Sequence, residues 1–467
     1  MLRRLAGAVL TAALLFPSLV RPASAQDALH VLVVGGTPAG VAAAVAAARQ
    51  GADVTLVSAR PQLGGILTDA MMDQWDLNVA PDGATIQGGL FREIHAELGD
   101  VFTPAQAASV FLNLVLSEPR IHLITQARPV DVRTSSAANG DRTVESVRFE
   151  RPGGSTFEIA AAEVIDATDD GDVAALAGAR YDVGRQDTGQ DERMQPVTLM
   201  FTLRGLDWPR IVAAYDPASY GAGGATDQRA WGYASVMSAY HPLSPDVVVR
   251  DLNLGREPDG EVTANAIDVL GIDGRSDADL ARARAISEAE TPHLIAFLRS
   301  RLPGFEDATL GRYASAIYVR ETRHFAGVDR LTAGDVWDGA IPDDTIGLSS
   351  YPLDLHPVTA GDKLAYAAVR HVYGIPFGTL VPRDLANLIL ASPAISATHI
   401  AAGSARVVPT TVEEGEAAGI AAAFAEHAGV TFPAMARDAK AIAAVREQLL
   451  RNGTILSYDP PARIAAV

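Results

Sequence analysis

HVLVVGGTPAGVAAAVAAARQGADVTLVS, His30 to Ser58, decides the fold. His30–Val34 is a short apolar run ended by glycines, which reads as a buried strand. From Pro38 the alanine-rich run reads as a helix, with proline in its first turn and Gly51 as its stop. Asp53–Val57 is the next strand, so the stretch is one βαβ unit with a right-handed crossover. Gly35 permits the tight turn out of the first strand, and Gly40 lets the helix pack close to the sheet. Around Gly36, Thr37, Pro38 and Ala39 the helix start directs unpaired N–H groups and a positive dipole end at a phosphate. The dinucleotide fingerprint G-x-G-x-x-G has glycine where Thr37 stands. A threonine hydroxyl there is expected to donate to a phosphate oxygen.

At the end of the second strand an acidic residue normally grips the ribose hydroxyls. This chain has Ser58, followed by Arg60, a pair that also suits a 2′-phosphate. The unit by itself leaves open which dinucleotide it holds.

Length and composition set the frame. The 467 residues are 48% hydrophobic and 20% charged, an ordinary globular balance with room for two domains. Arg3 and Arg4, the apolar run Leu5–Phe16 and Ala23-Ser24-Ala25 have the three-part form of a secretory signal, so residues 1–25 are expected to direct export by the general or the twin-arginine route. That leader carries three Arg and no acid, so its removal takes the formal charge from −18 to −21. Such a chain repels nucleic acid and anionic membrane surfaces. No other apolar run approaches the ~20 residues of a membrane span. The absence of cysteine excludes disulfides, thiolate metal sites and a cysteinyl cofactor bond. Neither H-E-x-x-H nor G-x-S-x-G occurs, so no metal site and no hydrolase elbow is expected.

Further along, Thr143–Glu150 and Ser155–Ile159 flank a Pro-Gly-Gly turn and read as a β-hairpin. EVIDATDDGDVAALAGA passes from an apolar strand into a helix. Gly221–Thr226 is rich in glycine but lacks a preceding apolar strand, so it reads as a loop and not as a second fingerprint. A late Ala-rich helix carries Gly415-Glu416-Ala417-Ala418-Gly419 near its opening and is closed by Gly429.

Six ordered segments together resemble a known family. They are Gly35–Gly40, Leu63-Gly64-Gly65, Asp166–Asp169, Tyr318–Arg323 (YVRETR), Tyr351–His356 (YPLDLH) and Ser396–Arg406. The chain looks like an FAD-dependent oxidoreductase of the glutathione-reductase-like type with two dinucleotide-binding domains, within a bacterial branch loosely labelled xanthan lyase-like. The resemblance implies an α/β fold: a Rossmann-like FAD-binding domain with a central parallel sheet and a β-meander, plus a mixed α+β substrate domain. The expected division is residues 28–180 and 366–430 for the FAD-binding domain, 181–365 for the substrate domain and 431–467 for a C-terminal helix and tail.

The same resemblance implies that Gly35–Gly40 holds the FAD pyrophosphate and Ser58 meets the adenosine ribose. Thr168 would lie near the adenosine half, and Gly64 and Gly65 would run along the flavin. A helix opening at Gly415, Ala418 and Gly419 would aim its N-terminus at the flavin pyrimidine edge. Asp169 and Asp170 near the phosphates would weaken binding unless they point to solvent.

For substrate chemistry the candidates are His399, Arg406, His356, Arg320 and Arg323. Histidine can accept the proton of a substrate O–H or N–H while its carbon gives hydride to flavin N5, and His399, beside the late helix, is the first choice. Arginine forks suit a carboxylate or sulfate. The expected activity is oxidation of a small organic molecule (sugar, hydroxy acid or amine), with oxygen, a quinone or a redox protein taking the electrons. Two other readings are an NADP-dependent reductase, from Ser58 and Arg60, and a flavin-binding protein without turnover.

Overall fold

The computed structural model describes residues 30–136, 142–362, 365–369 and 371–459. The leader read in residues 1–25 lies outside them.

His30–Val34 (β1), Pro38–Arg49 (α1) and Asp53–Val57 (β2) form the expected unit. Ile121–Ile124 (β3), Glu163–Asp166 (β4) and Leu388–Leu390 (β5) complete a five-stranded sheet in the order β5-β4-β1-β2-β3, every neighbour parallel. Apolar residues bury both faces, as a parallel sheet covered on two sides requires. Between β3 and β4 the chain makes an antiparallel meander of Arg128–Ser136, Arg142–Glu150 and Thr156–Ala160. The last two are the hairpin expected around the Pro-Gly-Gly turn, where Gly153 and Gly154 both take positive φ.

The second part of the molecule is a six-stranded antiparallel sheet. Its strands run Gly224–Ala225, Arg229–Gly232, Leu252–Arg256, Val262–Asn265, Phe201–Arg204 and Thr309–Tyr313. Gly224 and Ala225, read from the sequence as loop, pair with Trp231 and Ala230 as the edge strand. Phe201, Trp208, Leu254, Leu294 and Phe305 belong to a core distinct from the one around the parallel sheet. The helix Asp277–Arg301 packs on that core through Leu294 and Leu298.

His399–Ala405 (α2) leads into Val408–Ala428 (α3), which lies against α1. Here the sequence expectation needs correction. Helix α3 begins at Val408, so Gly415, Ala418 and Gly419 lie two to three turns inside it and do not form its N-terminus. They serve close packing instead. A Cβ on Gly415 would overlap the carbonyl oxygen of Ala39, and one on Gly419 would overlap that of Ala43. Ala418 is fully buried. Facing small residues let two helix backbones approach, which accounts for α1 being buried from Pro38 to Ala48.

Gly419→Val and Gly415→Val should each therefore destabilise the fold through overpacking, by about 1–3 kcal/mol, and lower the melting temperature. Thermal unfolding of the purified variants measures this. An unchanged Tm would mean that the two helices separate without cost.

Candidate active site

A cavity of about 1280 Å³ opens at the carboxyl ends of the parallel strands. From β1 the chain order runs to β2 and β3 on one side, and β4 and β5 lie on the other. The cavity is thus at the topological switch point, where ligands of open α/β sheets bind. Gly35 to Ala39, Ser58, Gly65 and Thr168 line one part of it; Ser315 to His324, Arg406, Val408 and Thr411 line another.

The loop after β1 is cut close to its neighbours. Gly35 has φ +124°, and a Cβ there would overlap the backbone of Ala167; at Gly36 it would overlap the Ser58 hydroxyl. Thr37 has extended backbone with φ −73°, so a side chain is tolerated where the fingerprint has glycine. Its hydroxyl donates to the Ala167 carbonyl at 2.9 Å and accepts the Gly40 N–H at 3.0 Å. The proton expected to serve a phosphate is committed: Thr37 caps α1 and ties the β1 loop to the β4 loop. Gly40 and Gly64 sit behind the wall. A Cβ on Gly40 would strike the Gly35 carbonyl, and the Gly64 N–H donates to the Gly36 carbonyl at 2.7 Å. Ser58 is turned onto its own chain, donating to the Arg60 carbonyl at 3.0 Å.

The FAD implied by the sequence resemblance fits this loop. Gly35 and Gly36 pack too closely on Ala167 and Ser58 for a side chain, so bare backbone lines the cavity at the N-terminus of α1. Among the described residues, nothing accepts the N–H groups of Gly36, Thr37 and Ala39. Free N–H groups at a helix start are what an anionic phosphate requires.

At the end of β4, buried Asp166 accepts the Thr168 N–H and hydroxyl at 3.1 and 2.7 Å and the Ala174 N–H at 2.8 Å. Asp169 and Asp170 both line the cavity and do not point away from it. Asp169 is exposed at the cavity wall; burial raises the half-buried Asp170 carboxyl to about 7, with like charge from Asp169 and Asp172 adding to it. Partial protonation and the nearby Arg60 and Arg323 reduce the repulsion expected from the sequence.

The five catalytic candidates fall into three groups. Arg320, His356 and Arg406 are joined by two carboxylates that sequence reading missed. Arg320 lies 3.3 Å from Asp268, and Asp268 lies 2.7 Å from His356 Nδ1. His356 Nε2 lies 3.2 Å from Asp354, which lies 3.1 Å from Arg406. Burial opposes ionisation of both aspartates, yet His356 and the arginines hold them far below the usual carboxylate range. Tyr318 links the two ends, accepting a 2.6 Å hydrogen bond from Arg406 and lying under the Arg320 guanidinium. Arg323 stands apart, donating to Asp172 and to the Asp170 carbonyl.

His399, the first choice as base, is also elsewhere. It does not line the cavity; its Nδ1 lies 2.6 Å from Glu321, whose same oxygen meets His324 Nε2 at 2.8 Å. The cause is local: α2 starts at His399, and the YVRETR segment turns Glu321 back toward it. Burial would raise Glu321, but hydrogen bonds from His324 and His399 bring it down to about 2. Burial lowers His399, and Glu321 together with Asp187 outweighs it, for a net rise above 6.5.

Asp76, Tyr351 and Asp354 surround Arg406 as its charged and polar neighbours. Burial raises the Asp76 carboxyl while Arg406 opposes the rise. Asp354 and Glu321 sit inside segments quoted from the sequence, so their signal was present. Asp76 and Asp268 belong to no motif and became visible only when the chain folded.

Two outcomes are expected. Thr37→Ala should lose about 1 kcal/mol of stability by removing an N-cap, while FAD absorbance stays with the purified protein. For the Glu321–His399 pair, Glu321 stabilises above its ordinary 4.5 and ceases to do so as pH falls through about 2. His399 contributes fully below 6.5 and loses its contribution as pH rises through its elevated value. The melting temperature should therefore fall above pH 6.5, and fall less steeply in Glu321→Gln. Parallel slopes for the two proteins would contradict this linkage.

Residues 30–449 match the model of the FAD dependent oxidoreductase family. No curated protein matches the chain. Among solved structures, p-nitrophenol 4-monooxygenase PnpA from Pseudomonas putida DLL-E4 is similar at 12% identity, over 92% of this chain and 90% of that one, with a TM-score of 0.44. The flavin-dependent brominase Bmp2 is similar at 10% identity, over 90% and 83%, also with a TM-score of 0.44. The family match names FAD as the dinucleotide that Ser58 and Arg60 had left open. With its family matched over nine-tenths of its length and its glycine loop shaped for the cofactor, the chain belongs to the FAD-dependent oxidoreductases.

Proposed function

We propose that this oxidoreductase dehydrogenates a small organic substrate at the part of the cavity wall formed by Arg406 and Tyr318, next to Asp76, Tyr351 and Asp354. One observation carries the reading. Arg406 lines the cavity and, on its other side, holds Asp354 and faces Asp76, so acid–base groups meet the cofactor cavity there.

Bound FAD supplies a two-electron acceptor for hydride from a substrate carbon. Gly35 to Ala39 would hold its pyrophosphate through backbone N–H groups. Ser58 and Arg60 would border the adenosine ribose, with Thr168 and Gly65 along the wall. The N-terminus of α3, at Val408 and Thr411, takes over the part expected of Gly415–Gly419, since it is this end that lines the cavity.

Asp76 is the proton acceptor in this reading. Its raised carboxyl, enclosed beside Arg406, is tuned toward the range in which a base works well. Arg406 fixes the substrate oxygen or nitrogen next to it. His356 is a positioning residue that keeps Asp354, and through it Arg406, in place. His399 holds Glu321 under the cavity wall and touches no substrate. Export rests on the leader in residues 1–25, and outside the cytoplasm oxygen, a quinone or a redox protein would take the electrons. Cell fractionation showing the full-length chain only in the cytoplasm would remove that part of the reading.

Asp76→Asn should slow anaerobic bleaching of the flavin by substrate by about 10²–10⁴-fold, with the flavin spectrum retained. In the wild type the rate should rise with pH as Asp76 ionises, along a limb lying above 3.8. Full activity in Asp76→Asn would assign the proton to another group.

A further inference from the structure

We infer that His324 holds the ribityl chain of bound FAD, its Nδ1 accepting a hydrogen bond from a ribityl hydroxyl. The inference goes beyond the proposed reaction and rests only on FAD lying in the cavity with its pyrophosphate at Gly35 to Ala39. His324 lines that cavity and is 2% exposed. Its Nε2 meets Glu321 at 2.8 Å, and its Nδ1 is buried with no partner among the described residues. Glu321 also takes the His399 Nδ1 at 2.6 Å and the Gln195 N–H at 2.9 Å. A carboxylate fixed as the anion by three donors assigns the ring proton of His324 to Nε2, which leaves Nδ1 as a bare lone pair. A buried acceptor without a donor is costly, so its partner is an O–H or N–H that the described chain does not supply.

The direction of the ring follows from strand alternation. Arg323 and Phe325 both lie against Tyr181, so His324 between them turns to the opposite side. There it meets Glu321 and, through it, His399. Ala402, three residues on from His399 in α2, lines the cavity as well.

Sheet order puts His324 on the flavin side of the pyrophosphate. Ser58 after β2, and Gln126 and Arg128 after β3, line the cavity on one side of β1, the side given to adenosine above. His324 lies on the other side, tied to the loops that follow β4 and β5. Thr322 donates to Asp170 at 2.7 Å, and the Phe325 N–H donates to the Ala394 carbonyl at 3.1 Å. The segment from Tyr318 to His324 thus runs from Arg406, just before α3, to the β4 loop. Between its pyrophosphate and its ring, FAD has a ribityl chain with hydroxyl groups. A hydroxyl is the donor that a lone pair in this position lacks.

The test is a titration of the full-chain apoprotein with FAD, followed by the change in flavin fluorescence without substrate. His324→Gln keeps a donor for Glu321 at the position of Nε2 and removes Nδ1, so the Kd for FAD should rise about tenfold or more. His324→Asn keeps an acceptor at the position of Nδ1 and gives up Glu321, so its Kd should stay close to that of the wild type. Among FAD analogues lacking one ribityl hydroxyl, one should bind the wild type about tenfold more weakly than FAD does, while His324→Gln binds it as well as it binds FAD. That coupling decides alone if His324→Asn does not fold. An unchanged Kd in His324→Gln, binding by His324→Asn no tighter than by His324→Gln, or no analogue whose deficit disappears in His324→Gln would each overturn the inference. The titration contains no substrate, so slower bleaching in Asp76→Asn with unchanged FAD binding bears on the proposed function alone.

Discussion

Everything at the cavity depends on two helix backbones being allowed to touch. Gly415 and Gly419 of α3 leave room for the carbonyls of Ala39 and Ala43 in α1, so residues nearly four hundred positions apart meet at backbone distance. That contact brings the N-termini of both helices to one cavity, Pro38 and Ala39 from one and Val408 and Thr411 from the other. Two positive dipole ends then bear on the same elongated space. Side chains at the two glycines would separate the helices and with them the two ends of the site. Stability and binding share a cause here, which is why these glycines resemble cofactor contacts when read from sequence alone.

A second constraint is electrostatic. Four basic groups, Arg250, Arg320, Arg406 and His356, sit in or beside a largely buried seam between the parallel-sheet core and the antiparallel sheet. Buried charges persist only when paired and hydrogen-bonded. Asp268, from a short strand beside Thr198, and Asp354, from the strand opposite Tyr366, provide the pairing. Because His356 contacts both, the seam is held as one network and not as separate ion pairs. Losing Asp268 would leave Arg320 and Arg250 without their anion, a larger cost than losing an exposed pair.

The βαβ unit, the hairpin and the phosphate loop were legible because their signals are local. Strand, turn and helix periodicities lie within a few residues of one another, and Gly35 has its meaning in a single turn. Thr37 was legible in position but not in role, since the acceptor of its hydroxyl is Ala167, 130 residues away. The same holds for His399. Its place before α3 suggested a part in the chemistry, whereas its orientation is decided by Glu321, 78 residues earlier. Asp76 left no trace in the sequence, because a lone aspartate in a loop acquires its altered carboxyl only from the burial and the arginine that folding brings to it.

The arrangement also separates two tasks that a single histidine was expected to combine. The His324–Glu321–His399 cluster lies behind the wall, with the Glu321 carboxylate taken up by both histidines and by the Gln195 N–H. In the proposed function the substrate proton goes instead to Asp76, whose carboxyl lies near Arg406 without a dedicated ion pair. A group saturated by short contacts is a poor base, because accepting a proton would break what orients it. A carboxyl that burial disfavours as an anion, with Arg406 and Arg229 near enough to moderate the effect, can take up a proton without rearranging its neighbours. The division of labour follows from which groups the fold leaves unsatisfied.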